Sequence, residues 1–313
     1  MGNGTILHTK DAKDAKLNMF TNTSILKQFF HKTSPFICAP MVHQSELTFR
    51  LLCRRYDVSL AATPMLNSKI FAAVKSYRNI EFQTHSNDQP LIAQLAASEP
   101  KQLLEATHHL HQRCDIIDLN FGCPQAIARR GNYGAFLLSD IPKMQSLVNC
   151  LAETYGARTP ISCKIRILPT HAATLEVAQG LIEAGCQILT IHGRTRDQNK
   201  QKSGAANWSV IKKVISDLQD RYPNVVIISN GGVGNLKDAH DCMKYTKAHG
   251  VMAAEGLLCN VSLLVPLMLL FQYLRFRLLN FILFFCFSNS SHPCFTMLPR
   301  MIIIKYSLFL GTF

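Results

Sequence analysis

Acidic residues are scarce in this chain of 313 residues: 20 Asp and Glu stand against 33 Lys and Arg, a formal net charge of +13. A surplus of that size favours polyanionic partners, RNA among them. No two of the 11 cysteines are spaced as CxxC, their number is odd, and several sit inside apolar runs such as Ile37-Cys38-Ala39. This excludes a small disulfide scaffold and points to reduced, buried thiols in a reducing compartment, cytoplasmic or nuclear. The first 34 residues lack the apolar core of a secretory signal peptide, and Asp11 and Asp14 weaken a transit-peptide reading. Ile6 stands where a myristoylation motif requires Ser or Thr. Residues 1–34 therefore read as a flexible leader.

The chain also lacks an uninterrupted apolar run of the ~20 residues that a membrane-spanning helix needs. From Val261 onward there is no acidic residue, and the only Lys and Arg are Arg275, Arg277, Arg300 and Lys305. The apolar windows 261–271 and 278–287 are each about half a span in length. Joining them would bury Arg275 and Arg277 near mid-bilayer at roughly 2.5–3.5 kcal/mol apiece, so no stable span is expected. The change of composition divides the chain into a leader (1–34), a barrel domain (35–260) and an aberrant hydrophobic tail (261–313). Val261-Ser262 can be encoded by GTAAGT, the usual start of an intron, and the Phe-, Ile- and Leu-rich run after it suits AT-rich sequence read in frame. The expectation is that this tail translates a retained intron.

What is present between the two ends is a repeat. With 48% hydrophobic and 17% charged residues the chain can fill a substantial core. Eight short β-rich apolar runs occur, at 36–41, 58–63, 91–96, 116–120, 161–166, 187–192, 225–230 and 250–254. Helical periods separate them. Trp208, Ile211, Val214, Ile215 and Leu218 share one face behind Asn207, a good N-cap. Leu175, Ala178, Leu181 and Ile182 share another, which stops at Gly185, where a left-handed cap suits glycine. Eight βα units in order predict an α/β fold, a TIM (β/α)8 barrel; a doubly wound open sheet is the alternative. The eighth helix that such a barrel needs is not visible after 260 and is expected to be missing or replaced.

Barrel chemistry sits at the C-terminal ends of the strands, and here those ends are polar. They carry Ala39-Pro40-Met41, Gln94, Asn120-Phe121-Gly122-Cys123-Pro124, Lys164 and Arg166, His192-Gly193-Arg194-Thr195, Asn230-Gly231-Gly232 and Ala254-Glu255-Gly256. No carboxylate pair and no metal-ligand cluster appears among them, which argues against a glycosidase and a zinc hydrolase and leaves no metal expected. Glycines at the ends of the last strands suit a flavin phosphate better.

Six strings carry a resemblance: APM at 39–41, LNFGCPQ at 119–125, CKIR at 163–166, HGRT at 192–195, SGAANW at 203–208 and SNGG at 229–232. With RRGNYGAFLL at 129–138, this set resembles the tRNA-dihydrouridine synthases over about residues 35–260, with wording similar to the eukaryotic subgroup acting on positions 16 and 17 of the D-loop. The resemblance implies a TIM barrel of the FMN-linked type followed by a C-terminal helical domain, here missing or replaced. It also implies that NADPH or NADH reduces FMN, that hydride passes to C6 of uracil, and that a cysteine protonates C5. Cys123 matches that cysteine, and a thiol with a reference pKa of about 8.5 is mostly protonated at neutral pH yet able to release its proton. By the same resemblance Pro40, Met41, Val42, Gln94, Lys164, His192, Asn230, Gly231, Gly232, Ala254 and Glu255 are the FMN-binding set. A cation such as Lys164 would stabilise the negative charge of reduced flavin. Gly232 departs from the family, which more often has Asp or Asn there, and Glu255 contributes through its backbone only. Asn120, Arg129, Arg130, Arg166 and Arg194, with Arg196 nearby, are the residues expected to meet tRNA. The base must be extruded from the folded tRNA to reach the barrel. A monomer is expected. Two other readings stay open: an FMN barrel acting on a free pyrimidine, and a truncated, inactive RNA-binding product.

Overall fold

The computed structural model describes residues 23–33, 35–199 and 204–261. Nine strands run in chain order: β1 (Phe36–Cys38), β2 (Leu60–Ala62), β3 (Leu66–Asn67), β4 (Leu91–Ala96), β5 (Ile116–Phe121), β6 (Ile161–Arg166), β7 (Ile188–His192), β8 (Val226–Asn230) and β9 (Gly250–Ala253). Each pairs in parallel with its neighbours. β1 joins both β2 and β9, and β2 bonds directly to β4, so eight strands close a barrel. β3 lies outside this ring, attached to β4 through Leu66 opposite Leu95 and Asn67 opposite Ala96. The fold is a TIM barrel. Its strands are apolar on both faces because helices cover them outside and side chains fill them inside.

Helices follow the strands: α2 (Leu47–Arg54), α3 (Ser68–Ala73), α4 (Lys75–Glu81), α5 (Pro100–His108), α6 (Ala126–Arg130), α7 (Ile141–Tyr155), α8 (His171–Glu183), α9 (Trp208–Gln219), α10 (Leu236–Thr246) and α11 (Glu255–Cys259). The start of α9 is fixed by Asn207, whose side chain accepts from the Val210 N–H, and Ile211, Val214, Ile215 and Leu218 are buried as the periodicity predicts. α8 ends before Gly185, whose φ of +106° places it in the left-handed region.

Part of the segment read from sequence as a flexible leader is ordered. Residues Thr23–Thr33 form a helix, α1, with Leu26 and Phe30 fully buried. They pack on Ile37, Leu60, Ile92, Ile116, Ile188 and Val226, the first inward residues of their strands, so α1 closes the N-terminal end of the barrel. Each such side chain contributes roughly 1.5–3 kcal/mol by leaving water. Four apolar residues in eleven, diluted by Lys and Thr, gave this helix little signal. Residues 1–22 and 262–313, including the tail and the expected loss of the eighth helix, lie outside the described residues. No described helix is long and apolar enough to cross a membrane.

Side chains alternate along a strand, so residues two apart share the lumen. Along β5 these are Ile116, Asp118 and Asn120; along β6, Ser162, Lys164 and Arg166; along β7, Ile188, Thr190 and His192. The lumen is thus apolar at its base and polar at its mouth. Register sets the polar residues side by side: Gln94 opposite Asp118, Asn120 opposite Lys164, Arg166 opposite His192, and His192 opposite Asn230.

Candidate active site

A cavity of about 760 Å³ opens at the C-terminal mouth of the barrel. Its wall includes Pro40, Met41, Val42, Gln94, Asn120, Cys123, Lys164, Arg166, His192, Arg194, Asn230, Gly231, Gly232, Ala254 and Glu255, all anticipated from sequence. Arg129 and Arg130 do not join them. They lie on α6, a short helix rather than a loop, and project from its exposed face beside Ile127. A second hollow of about 910 Å³ lies between α9 and α10, lined by Trp208, Lys212, Asp241, Lys244, Tyr245 and Lys247. It is open and holds none of the candidate residues.

Cys123 is half-buried in the turn after β5. Its backbone N–H and that of Gly122 both donate to Asn120 Oδ1, at 2.8 and 3.1 Å. On its other side, Gly134 approaches so closely that a Cβ there would stand 2.8 Å from the Cys123 carbonyl oxygen, and Gly134 is also left-handed at φ +69°. Ala135 N–H completes the turn by donating to that carbonyl at 3.0 Å. This explains why glycine occupies position 134 in the RRGNYGAFLL string. Cys123, like Met65 and Phe136, packs against the buried cluster of Ala96, Ala128 and Tyr133, which gives one side of the turn an apolar wall.

Arg166 is bound down. Its Nε donates to the Gly122 carbonyl at 2.8 Å, and its Nη1 donates to the carbonyls of Thr195 and Gln198 at 2.9 and 3.1 Å. It therefore joins the turn after β5 to the loop after β7. Arg194 reaches the Gly204 carbonyl through Nε at 3.0 Å and lies with Nη1 3.4 Å from His192 Nε2.

Charge at the mouth is unevenly compensated. Burial, with Arg166 adding to it, lowers the Lys164 ammonium to about 8 despite the attraction of Asp118. Burial also lowers His192 to about 2, helped by Lys164, Arg166 and Arg194, so its ring is neutral at physiological pH. Gly231 bends the chain past that ring at φ +99°; a Cβ there would meet His192 Cδ2 at 2.7 Å. The Trp208 indole holds the same turn by donating to the Gly231 carbonyl at 2.9 Å. Asn230 donates to the Met252 carbonyl at 2.8 Å, so its amide ties β8 to β9 at the cavity wall.

Sequence reasoning missed Asp118. It is buried, it accepts from Gln94 Nε2 at 2.7 Å and Ser162 Oγ at 2.6 Å, and it sits beneath the candidate residues. The available signal was an acid in the run Ile116-Ile117-Asp118-Leu119-Asn120, two residues from Asn120 and so on the same face. No group of three or more His, Cys, Asp or Glu able to hold a metal occurs among the described residues.

Residues 37–267 match the family model described as dihydrouridine synthase (Dus). The chain belongs to the dihydrouridine synthase family. It is 40% identical over 253 residues to the tRNA-dihydrouridine(16/17) synthase [NAD(P)(+)] of Saccharomyces cerevisiae, covering 80% of this chain and 58% of that protein. It is 41% identical over 229 residues to the mouse tRNA-dihydrouridine(16/17) synthase [NAD(P)(+)]-like protein, covering 72% of this chain and 47% of the relative. The Schizosaccharomyces pombe tRNA-dihydrouridine(16/17) synthase is 37% identical over 232 residues, 74% of this chain and 57% of that one. The chain thus spans about half the length of these curated relatives.

Proposed function

We propose that this barrel is the catalytic part of an FMN-dependent tRNA-dihydrouridine synthase, which reduces uridine to 5,6-dihydrouridine in the D-loop, at positions 16 and 17, with NADPH or NADH as reductant. The observation that carries this reading is the convergence of Cys123, Asn120, Lys164 and His192 on one cavity at the barrel mouth. The names of the 16/17 relatives support the choice of position. The nine described cysteines are all free thiols, which supports a cytoplasmic or nuclear setting.

The residues present fit FMN. A cavity of about 760 Å³ lies within the range of roughly 300–1,000 Å³ usual for small-molecule and cofactor sites. Lys164 offers a cation to a ring that gains negative charge on reduction, and neutral His192 offers a hydrogen-bonding ring without a competing charge. Gly231 and Gly232, both left-handed, present backbone without side chains for a phosphate, with Ala254 and the backbone of Glu255 across from them. Pro40, Met41 and Val42 supply an apolar edge for the ring.

Held by Lys164, His192 and the Gly231-Gly232 backbone, FMN would supply reducing chemistry, a hydride for C6 of uracil. The protein's own task is to bring a proton to C5 from the other face. Cys123 is held at the rim of the cavity by Asn120 and Gly134, where its Sγ–H can release that proton; solvent then restores the thiol. Arg194 lines the mouth, Arg196 stacks over the Phe136 ring, and Arg129 and Arg130 are exposed on α6, so all four can meet RNA phosphates.

The test is the visible absorption of the full purified chain, followed by FMN titration of any flavin-free fraction. A yellow protein, or stoichiometric binding of added FMN, is the expected result. A folded barrel that neither carries nor binds FMN would overturn the reading.

A further inference from the structure

The buried carboxylate of Asp118 is used by no step described above, yet it begins a continuous chain of hydrogen bonds that ends at Cys123. Gln94 Nε2 donates to Asp118 Oδ2 at 2.7 Å; Asn120 Nδ2 donates to Gln94 Oε1 at 2.8 Å; and Asn120 Oδ1 accepts from the N–H groups of Gly122 and Cys123 at 3.1 and 2.8 Å. Ser162 Oγ donates to the other carboxylate oxygen at 2.6 Å. Asp118 and Gln94 are 4% and 1% exposed, so water does not substitute for these partners.

The two ends of the chain impose the same direction on it. Backbone N–H groups can only donate, so the oxygen of the Asn120 amide must face the Cys123 turn and its nitrogen must face Gln94. An ionised carboxylate can only accept, so the nitrogen of the Gln94 amide must face Asp118 and its oxygen must face Asn120. Burial pushes the Asp118 carboxyl above its usual range, while the two donors that converge on it, one per oxygen, and the Lys164 ammonium pull it back toward the ionised form. A reversed Gln94 would set its nitrogen against the nitrogen of Asn120. A reversed Asn120 would then lose both bonds to the turn.

We propose that Asp118 is a positioning residue for Cys123, acting through the amide orientations of Gln94 and Asn120 to hold the turn that presents the thiol to the cavity. Gln94 is accordingly a relay at the floor of the site, with one hydrogen of its amide and one lone pair of its carbonyl already committed. This rests on the reading that Cys123 does the chemistry, but its test does not use turnover.

The experiment follows amide exchange in residues 122–123 and alkylation of Cys123 by iodoacetamide, each resolved by mass spectrometry on the full chain without added flavin. Asp118→Leu keeps bulk but cannot accept; it should lower protection of these amides and speed alkylation by about tenfold, the effect of one lost hydrogen bond. Asp118→Asn should restore both values to near wild type. Its oxygen can still face Gln94, with Ser162 turned from donor to acceptor. If Asp118→Leu does not fold, Gln94→Met cuts the same chain one link later and should loosen the turn equally. A folded Asp118→Leu with unchanged exchange and alkylation overturns the proposal, as does a Gln94→Met that leaves the turn unchanged. Asp118→Asn behaving as badly as leucine also overturns it, because charge rather than amide direction would then be at work. A relay that passes alongside a Cys123→Ala variant with full activity would instead refute the role of Cys123.

Discussion

Arg166 and Gly122 are joined by a 2.8 Å hydrogen bond from the guanidinium Nε to the carbonyl just before Cys123, while Nη1 of the same side chain holds the loop after β7. One planar group thus spans two loops of the mouth. Lysine has a single ammonium and cannot reproduce the fork. Arg166→Lys should leave thermal stability nearly unchanged and reduce dihydrouridine formation by roughly 10- to 100-fold, as misplacement of a reacting group does. Single-turnover kinetics beside a melting curve separate the two; a variant that loses stability but not rate would contradict this bridge.

Lys164 strains the barrel in order to serve the site. Its pKa is about 8 when folded, against a reference of about 10.4 in the unfolded chain. Between these values the unfolded chain binds more protons, so stability rises as pH climbs from 8 towards 10.4. Lys164→Met should remove that slope and stabilise the flavin-free protein at pH 7 by on the order of 1–3 kcal/mol, while weakening FMN binding. Urea unfolding at pH 7 and pH 10 checks it. A destabilised variant would mean that the ammonium is well paired.

His192 is held neutral by burial and by the cations around it. The folded pKa lies below the unfolded value of about 6.5, so this group takes stability away as pH falls through and below 6.5. Nitrogen-15 spectra of the imidazole should show a neutral ring down to pH 5. Appearance of an imidazolium near pH 6 would contradict the crowding by Lys164, Arg166 and Arg194.

Asp88 carries a different burden and does not line the cavity. It accepts from Arg50 Nη2 at 2.7 Å and from Arg54 Nε at 3.1 Å, and neither it nor Arg50 meets solvent. Asp88→Ala leaves Arg50 buried with an uncompensated charge and should cost about 3–5 kcal/mol, read as a lowered urea midpoint. A loss below about 1 kcal/mol would mean that the carbonyls of Ser45 and Gln83, which also accept from Arg50, suffice on their own.

The barrel was legible because each of its eight strands is an apolar run bounded by a polar end, a pattern that survives without any knowledge of pairing. The mouth was legible for a related reason: Asn120, Lys164 and His192 interrupt apolar strands in their C-terminal halves. Helix α1 was not, since Leu26 and Phe30 become core only when the barrel base exists to receive them. Nor was the Arg50–Asp88–Arg54 cluster, whose members are 34 and 38 residues apart. Arg129 and Arg130, expected beside the other tRNA-meeting residues, lie on the exposed face of α6 and outside the cavity wall. Gln94 lines the cavity, but its hydrogen bond to Asp118 is a relationship that no linear spacing conveys.

The most direct test of the account is mass-spectrometric measurement of dihydrouridine in unmodified tRNA after incubation with the full chain, FMN and NADPH, run in parallel with Cys123→Ala. The account predicts dihydrouridine at positions 16 and 17 with the wild-type chain and a loss of about a hundredfold or more in the variant, the scale of a missing general acid. Equal dihydrouridine formation by the two proteins would contradict the assignment of the proton to Cys123. Its absence from a folded, flavin-loaded wild-type chain would contradict the proposed activity itself.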